Sequence, residues 1–383
     1  MGTLFPLAVR LELWAALIAL AASAVLPGCG HARGCIEGCG AVADSGSDAG
    51  AEAGLPLPPA CPAHRICPHV FDIHAELEMP LGDQNRGTVY LGNAVYTPVG
   101  PAVSWVSMPL HAGDPRHAGV ALPLQNKVAS FVENVAADAY PEAPPLLQRD
   151  NELDLVVPST SYDQVIRVPM DTFVPSNPAP IPISGVEHDP PTVLGIGQTL
   201  AAIVKPSYHL VFVDSTLSQR LVDKPISGDL LTPTCNGFLA VNSGIGQAQP
   251  FDDMGNAVGP VVSWNGGSGG NPAWDGASVA ICEAKQIVEL ASNGSVQSVT
   301  PTPPDADRGA EVAVGTDDGL LSSMVVGGPP ALRMLERGTG SIIEDYGTQQ
   351  GDVAVAGDHS IYFISGSGYA GSCTYWTWVE CSD

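Results

Sequence analysis

The chain has few charges and fewer cations. Of 383 residues, 14% are charged, and 15 Lys plus Arg stand against 40 Asp plus Glu, a formal net charge of −25. That balance excludes nucleic acid as a partner, because neutralising phosphates takes clustered basic groups. It also excludes electrostatic docking on anionic lipid, which needs basic segments. Long helices have little room, since 43 Gly and 35 Pro punctuate the chain. No Cys-x-x-Cys pair occurs, which removes the usual half-site of structural zinc. Trp274-Asp275 is a single Trp-Asp pair, not a repeating one. The acidity itself serves solubility.

What is present begins with one apolar run. Arg10 and the free amine give a modest positive start, and Leu13 to Leu26 is almost wholly apolar. A run of about 14 residues is short for a membrane span, which needs about 20. Basic start, apolar stretch and small residues before a cut describe a secretory signal. The run ends in Leu26-Pro27-Gly28-Cys29, which resembles the bacterial lipobox; Leu26, Gly28 and Cys29 match, and Pro27 departs from the usual small residue. The resemblance implies cleavage before Cys29 and a diacylglycerol on its thiol, so that the chain is held to a membrane through a lipid anchor. It also implies a place for the protein: Gly30 carries no retention acid, which points to the outer membrane. The other readings are plain secretion, with Cys29 in a disulfide, and a retained membrane anchor.

Nine cysteines occur, and removing Cys29 leaves an even number: Cys35, Cys39, Cys61, Cys67, Cys235, Cys282, Cys373 and Cys381. Disulfides persist in oxidising compartments, so these are disulfide candidates in an exported chain. Proximity suggests the pairs Cys35/Cys39, Cys61/Cys67, Cys235/Cys282 and Cys373/Cys381, although sequence alone does not fix connectivity. Cys235 and Cys282 stand about one repeat apart, so a bridge there would join corresponding points of adjacent units.

Residues 29–60 are rich in Gly, Ala, Ser and Asp, then in Pro. Such a stretch buries too little apolar surface to order itself and suits a flexible tether. From residue 61 the texture changes to short apolar runs broken by turn residues. Val312-Ala313-Val314 and Val353-Ala354-Val355 each precede a turn signal and a second apolar run, so both read as hairpins. Similar units start at Val279, Leu239, Ala202 and Leu155, giving a loose period of roughly 40 residues. A four-stranded unit with two apolar faces is not stable alone, and packing such units around an axis buries both faces. The expectation is all-β: residues 1–28 signal peptide, 29–60 tether, and 61–383 a single β-propeller of about seven blades, with six to eight allowed. Two stacked β-sandwiches are the rival architecture. Lys127–Tyr140 has near-helical spacing but reads as a strand, and Ala331–Gly338 reads as a helical turn or two. The repeat texture resembles that of bacterial propeller lipoproteins.

Chemical motifs are weak. Gly266–Gly270 fits Gly-x-Ser-x-Gly, but Asn271-Pro272 discourages the helix a nucleophile elbow needs. Gly366–Gly371 fits a dinucleotide loop, but too little chain follows it. Glu187-His188-Asp189 is a polar loop cluster able to bind metal or act as acid and base; His111 and His117 flank another loop. No cofactor is expected. Calcium is the ion for which ligands exist, at Asp252, Asp253 and Asn256 and at Asp317-Asp318, although such residues more often form turns. Tyr375, Trp376 and Trp378 near the end read as a disulfide-clipped closing strand, with a sugar or peptide platform as the functional reading. The function expected is binding of a protein, peptide or glycan at the cell envelope. The alternatives are a carbohydrate-active lyase or hydrolase with acid and base residues converging on the propeller axis, and a structural envelope protein without a small ligand.

Overall fold

The computed structural model describes residues 60, 64–80, 89–107, 116–133, 143–157, 162–184, 192–196, 199–204, 208–266, 272–347, 351–357, 359–367 and 373–382. The first described strand is β1 (His69–Pro80). Blade 1 is β2 (Val89–Thr97), β3 (Gly100–Ser107), β4 (Arg116–Leu122) and β5 (Lys127–Glu133), with a 3-10 turn at Pro123–Gln125 before β5. Blade 2 is β6 (Leu146–Arg149), β7 (Glu152–Val157), β8 (Tyr162–Pro169) and β9 (Ala179–Ser184). Blade 3 is β10 (Thr192–Ile196), β11 (Thr199–Val204), β12 (His209–Val213) and β13 (Arg220–Pro225). Blade 4 is β14 (Leu230–Thr234), β15 (Gly237–Asn242), β16 (Gln247–Phe251) and β17 (Val262–Ser263). Blade 5 is β18 (Ala273–Trp274), β19 (Ser278–Cys282), β20 (Gln286–Ala291) and β21 (Val296–Pro301). Blade 6 is β22 (Ala306–Gly315), β23 (Leu320–Val326), β24 (Pro330–Leu335) and β25 (Ile342–Asp345). Blade 7 takes β26 (Val353–Gly357), β27 (Ser360–Ser367) and β28 (Cys373–Ser382) from the end of the chain, and β1 from its start.

The first strands of the blades touch in succession, β2 to β6, β10, β14, β18, β22 and β26, and β26 touches β2 again. The ring is closed. The fold is a seven-bladed β-propeller. In each blade the strands run A to D from the inside outwards, all antiparallel. The A–B and C–D turns therefore emerge on one face and the B–C and D–A connections on the other. Sandwich packing does not occur.

The core explains the sequence texture. Successive residues of a strand point to opposite sheet faces, and here both faces meet another blade. Leu155 packs in the cluster with Ala102 and Val120 of blade 1, and Val156 in the cluster with Val193 and Leu200 of blade 3. Ala202 belongs with blade 2, and Ala201 and Ile203 with Phe238 and Phe251 of blade 4. A strand buried on both faces reads as a continuous apolar run rather than an alternating one. Blade-to-blade hydrogen bonds add to this packing. The Asn93 amide donates to Leu146 O and accepts from Leu146 N, both at 2.6 Å, joining blades 1 and 2.

The two Val-Ala-Val hairpins exist, as β22–β23 and β26–β27. The repeat slips in phase, however. The triplets from Leu155, Ala202, Leu239 and Val279 fall in second strands, whereas those from Val312 and Val353 fall in first strands. Lys127–Glu133 is a strand, and Ala331–Leu335, expected as helix, lies in strand β24. Its residues alternate between the clusters shared with blades 5 and 7, which a strand between two blades requires.

The cysteine pairing differs from the expectation. Cys67 is bonded to Cys381, 314 residues away, with a Cα–Cα distance of 5.1 Å. Cys373 and Cys381 lie near opposite ends of β28, and eight residues of extended strand span about 26 Å, far beyond disulfide reach. Cys282 is a buried free thiol, not a disulfide partner. It ends strand B of blade 5, whereas Cys235 lies in the A–B turn of blade 4, so the two face opposite ends of the ring. Cys235 is disulfide-bonded, though not to Cys282. Cys29, Cys35, Cys39 and Cys61 lie outside the described residues.

Candidate functional site

On the A–B face, the chain before β1 is riveted across blades 5 and 6. Ile66 N donates to Asp275 O at 2.8 Å, and Asp317 N donates to Pro68 O at 2.7 Å. Both aspartates stand in A–B turns. Arg65 inserts between the two blades. Its guanidinium hydrogen-bonds Asp275 and lies 3.6 Å from Glu289 and 3.3 Å from Asp317. Glu289 also accepts from Arg337 at 2.8 Å and from Ser298 at 2.5 Å. Asp275 and Glu289 are each 1% exposed. Burial pushes the Asp275 carboxyl above its ordinary range, against the pull of Arg65 and of the N–H groups of Ser278 and Ala277. A side chain at Gly315 would collide with Arg65 and Asp275, so this glycine keeps room for the ion pair. All these groups are mutually satisfied, which makes the centre a fastening rather than a ligand site. His69 adds a 2.9 Å contact to Asp318, and Cys67–Cys381 completes the clasp.

The B–C face differs. Trp264 follows the last strand of blade 4, and Glu283 sits in the B–C turn of blade 5. Trp264 Nε1 donates to Glu283 Oε1 at 2.7 Å, and Gln286 Nε2 donates to Glu283 Oε2 at 2.6 Å. Gln286 also donates to Asn265 O at 2.6 Å. Glu283 is 3% exposed, and a side chain at Gly266 would strike its carboxylate. Trp264 is half-buried, packed against the cluster shared by blades 4 and 5, while Asn265 and Gly266 are exposed and Ile245 is 55% exposed. The arrangement is a fixed aromatic edge over a buried carboxylate, opening to solvent beside apolar surface.

The seven innermost strands carry mostly Leu, Val, Ala and Gly, no histidine, and only two carboxylates, Asp307 and Glu311, both in β22. Two shallow clefts of about 150 and 270 Å³ flank Phe251, one lined by Asn236 and Asn293, the other by Lys224, Gln249 and Asn256. Glu187, His188, Asp189 and His111 lie outside the described residues, as does most of each glycine-rich loop. His117 lies in β4 opposite Ser107. Asp252 accepts from Met254 N at 3.0 Å and Asn256 N at 2.7 Å, shaping its own turn. Asp317 and Asp318 are engaged by Arg65 and His69. Among the described residues, no three His, Cys, Asp or Glu side chains gather to hold a metal ion. Trp378 lies in the closing strand and stacks on His74, ring centroids 4.9 Å apart. The closing strand is therefore real, but its disulfide clip reaches back to Cys67.

Three residues that matter here gave no signal in the sequence. Arg65 stands alone at the edge of the tether. Glu283 and Trp264 are 19 residues apart, across a blade junction that spacing does not reveal.

No protein-family model and no curated protein matches the chain. Solved structures do. The WD40 domain of Neurospora crassa Pan2 superposes with a TM-score of 0.54 at 10% identity, covering 82% of this chain and 98% of that one. The computationally designed Ika8 protein gives 0.47 at 9% identity over 79% and 99% of the two chains, and the Dos1 propeller 0.47 at 11% over 75% and 77%. The likeness to the Pan2 domain shows the fold alone, which is the propeller already described.

Proposed function

We propose that the chain is an exported lipoprotein, anchored through Cys29 in the outer membrane, whose propeller binds a protein, peptide or glycan at the cell envelope. The observation that carries this reading is the Cys67–Cys381 disulfide, which closes the ring on the chain that leads back to the tether. A structural disulfide of this kind persists in an oxidising compartment, in keeping with the signal-like N-terminus and Leu26-Pro27-Gly28-Cys29. The chain before β1 is fastened on the A–B face, and Trp264 stands on the B–C face. Innermost strands built of small and apolar residues favour binding over an active site in the funnel.

The test is intact mass and membrane fractionation of the expressed protein beside Cys29→Ser. The expected result is a lipid-sized mass on the wild-type N-terminus and membrane association, both lost in the variant. A soluble wild-type protein without lipid overturns the anchored reading and leaves a secreted binding propeller.

A further inference from the structure

We propose that the B–C face between blades 4 and 5 carries a recognition notch, centred on Trp264 and Glu283, for a basic side chain of a protein or peptide partner. The inference deepens the binding reading given above by naming the surface and the chemistry it accepts.

The first observation is an uncompensated charge. Three other buried carboxylates of the ring have a cation: Asp154 has Arg149, Asp275 has Arg65, and Glu289 has Arg65 and Arg337. Glu283 is as buried as these, yet among the described residues no Lys, Arg or His nitrogen lies within ion-pair distance. Among the described residues, its two oxygens accept only the neutral N–H groups of Trp264 and Gln286. A buried carboxylate without a counter-charge is costly to maintain unless a cation reaches it. Lys285, two residues on, is exposed and makes no ion pair with it.

The second observation is the indole. Hydrogen bonding to Glu283 fixes the ring of Trp264 in place while part of it meets solvent. Ammonium and guanidinium groups are drawn to tryptophan faces, and a carboxylate hydrogen-bonded at the Nε1 edge of the ring adds to that potential. Burial and the charges of Glu311 and Glu283 all push the neighbouring Cys282 thiol up, so the surroundings of the notch are negative. Ile245 and Asn265 supply an apolar contact and a polar rim, the mixture common at interface anchors.

The third observation concerns the cations of neighbouring blades. Arg65, Arg149, Arg220, Lys224, Arg333 and Arg337 are held by blade junctions or by carboxylates of their own blade. None of these six is available to the notch, so the complement is assigned to a partner.

The experiment uses the full chain and three blocked peptides: tri-lysine, its Nε-acetylated form, and tri-glutamate. Binding is followed by calorimetry and by the indole N–H resonance of Trp264, assigned with Trp264→Phe. Tri-lysine is expected to shift that resonance, the acetylated and acidic peptides to leave it in place, and Glu283→Gln to weaken binding by about tenfold with its melting curve retained. If Glu283→Gln fails to fold, the comparison of lysine with acetyl-lysine on the wild type still decides. The proposal is overturned if tri-lysine binds without moving the Trp264 resonance, if acetylation makes no difference, or if no cationic peptide binds at millimolar concentration. None of these results bears on the fractionation of Cys29→Ser, so anchoring and recognition stand or fall separately.

Discussion

Removing Cys67–Cys381 tests whether the ring is held by its covalent clasp. The bond joins residues 314 positions apart, so it closes nearly the whole propeller into one loop. The chain-entropy model assigns such a loop about 5.7 kcal/mol at 25 °C, while native disulfides lost from small domains cost about 2–5 kcal/mol. Unfolding entropy of about 2.1 cal/mol/K per residue gives about 0.66 kcal/mol/K over that loop, so melting should fall by roughly 3–9 °C. The double variant Cys67→Ala, Cys381→Ala should still fold, because β1 remains laddered to β28 from His69 to Pro80. Calorimetry and urea titration of the two proteins measure the loss. Hydrogen exchange locates it, with β1 and β28 gaining exchange first and blades 2 to 4 last. A loss below about 1 kcal/mol, or exchange rising evenly around the ring, would refute the reasoning, since the clasp acts only at the seam.

Arg65→Met leaves the buried Asp275 without its cation and Glu289 with Arg337 alone, and should lower stability by about 3–5 kcal/mol, read as a fall in the urea midpoint. The pH dependence has a definite sign. The Asp275 carboxyl is raised in the folded state, so its contribution is full below the ordinary carboxylate value and lost as pH rises through the raised one. Asp275→Asn should therefore flatten the stability profile just above the ordinary range, in urea midpoints taken from pH 3 to 7. Asp345 works oppositely. The Gly347 N–H and the Arg333 guanidinium hold it below its usual value, so its contribution is present above that value and lost on further acidification. Cys282 is 1% exposed, with its thiol pushed upward by burial; iodoacetamide should leave it unlabelled in the native protein and modify it only in denaturant, by mass mapping. Asn93→Ala removes the two side-chain hydrogen bonds that join Asn93 to the Leu146 backbone across blades 1 and 2 and leaves Leu146 N–H and C=O unanswered, at about 1–3 kcal/mol, measured by urea titration.

The blade architecture was legible because it depends on pattern. Stretches such as Leu155–Val157 or Val279–Cys282 are apolar on both faces, and only a neighbour on each side can bury them. That requirement recurs with every blade, so a period near 40 appears even without a repeated signature residue. Phase was less legible. Val312-Ala313-Val314 has the texture of a second strand and sits in a first strand, because at this junction the innermost strand is as deeply enclosed as its neighbour. The details that give the ring its character depend on meetings between distant segments. Cys67 finds Cys381 because the chain's first strand must complete the blade made by its last three. Neighbouring cysteines were a poor guide for the same reason: an extended strand carries adjacent cysteines apart, whereas ring closure brings the ends together.

The two faces follow from that closure. Once β1 is the outer strand of blade 7, antiparallel pairing decides which way it runs, and the residues before it must emerge on the A–B face. Arg65 then meets the A–B turns of blades 5 and 6, whose Asp275 and Asp317 await a cation. Glu283 stands at the opposite end of the same blade, in a B–C turn. One buried carboxylate centre of blade 5 is thus neutralised by the chain's own arginine, and the other is left with neutral donors beside a partly exposed tryptophan. The difference between them is topological, and it is the reason the recognition chemistry is assigned to the B–C face.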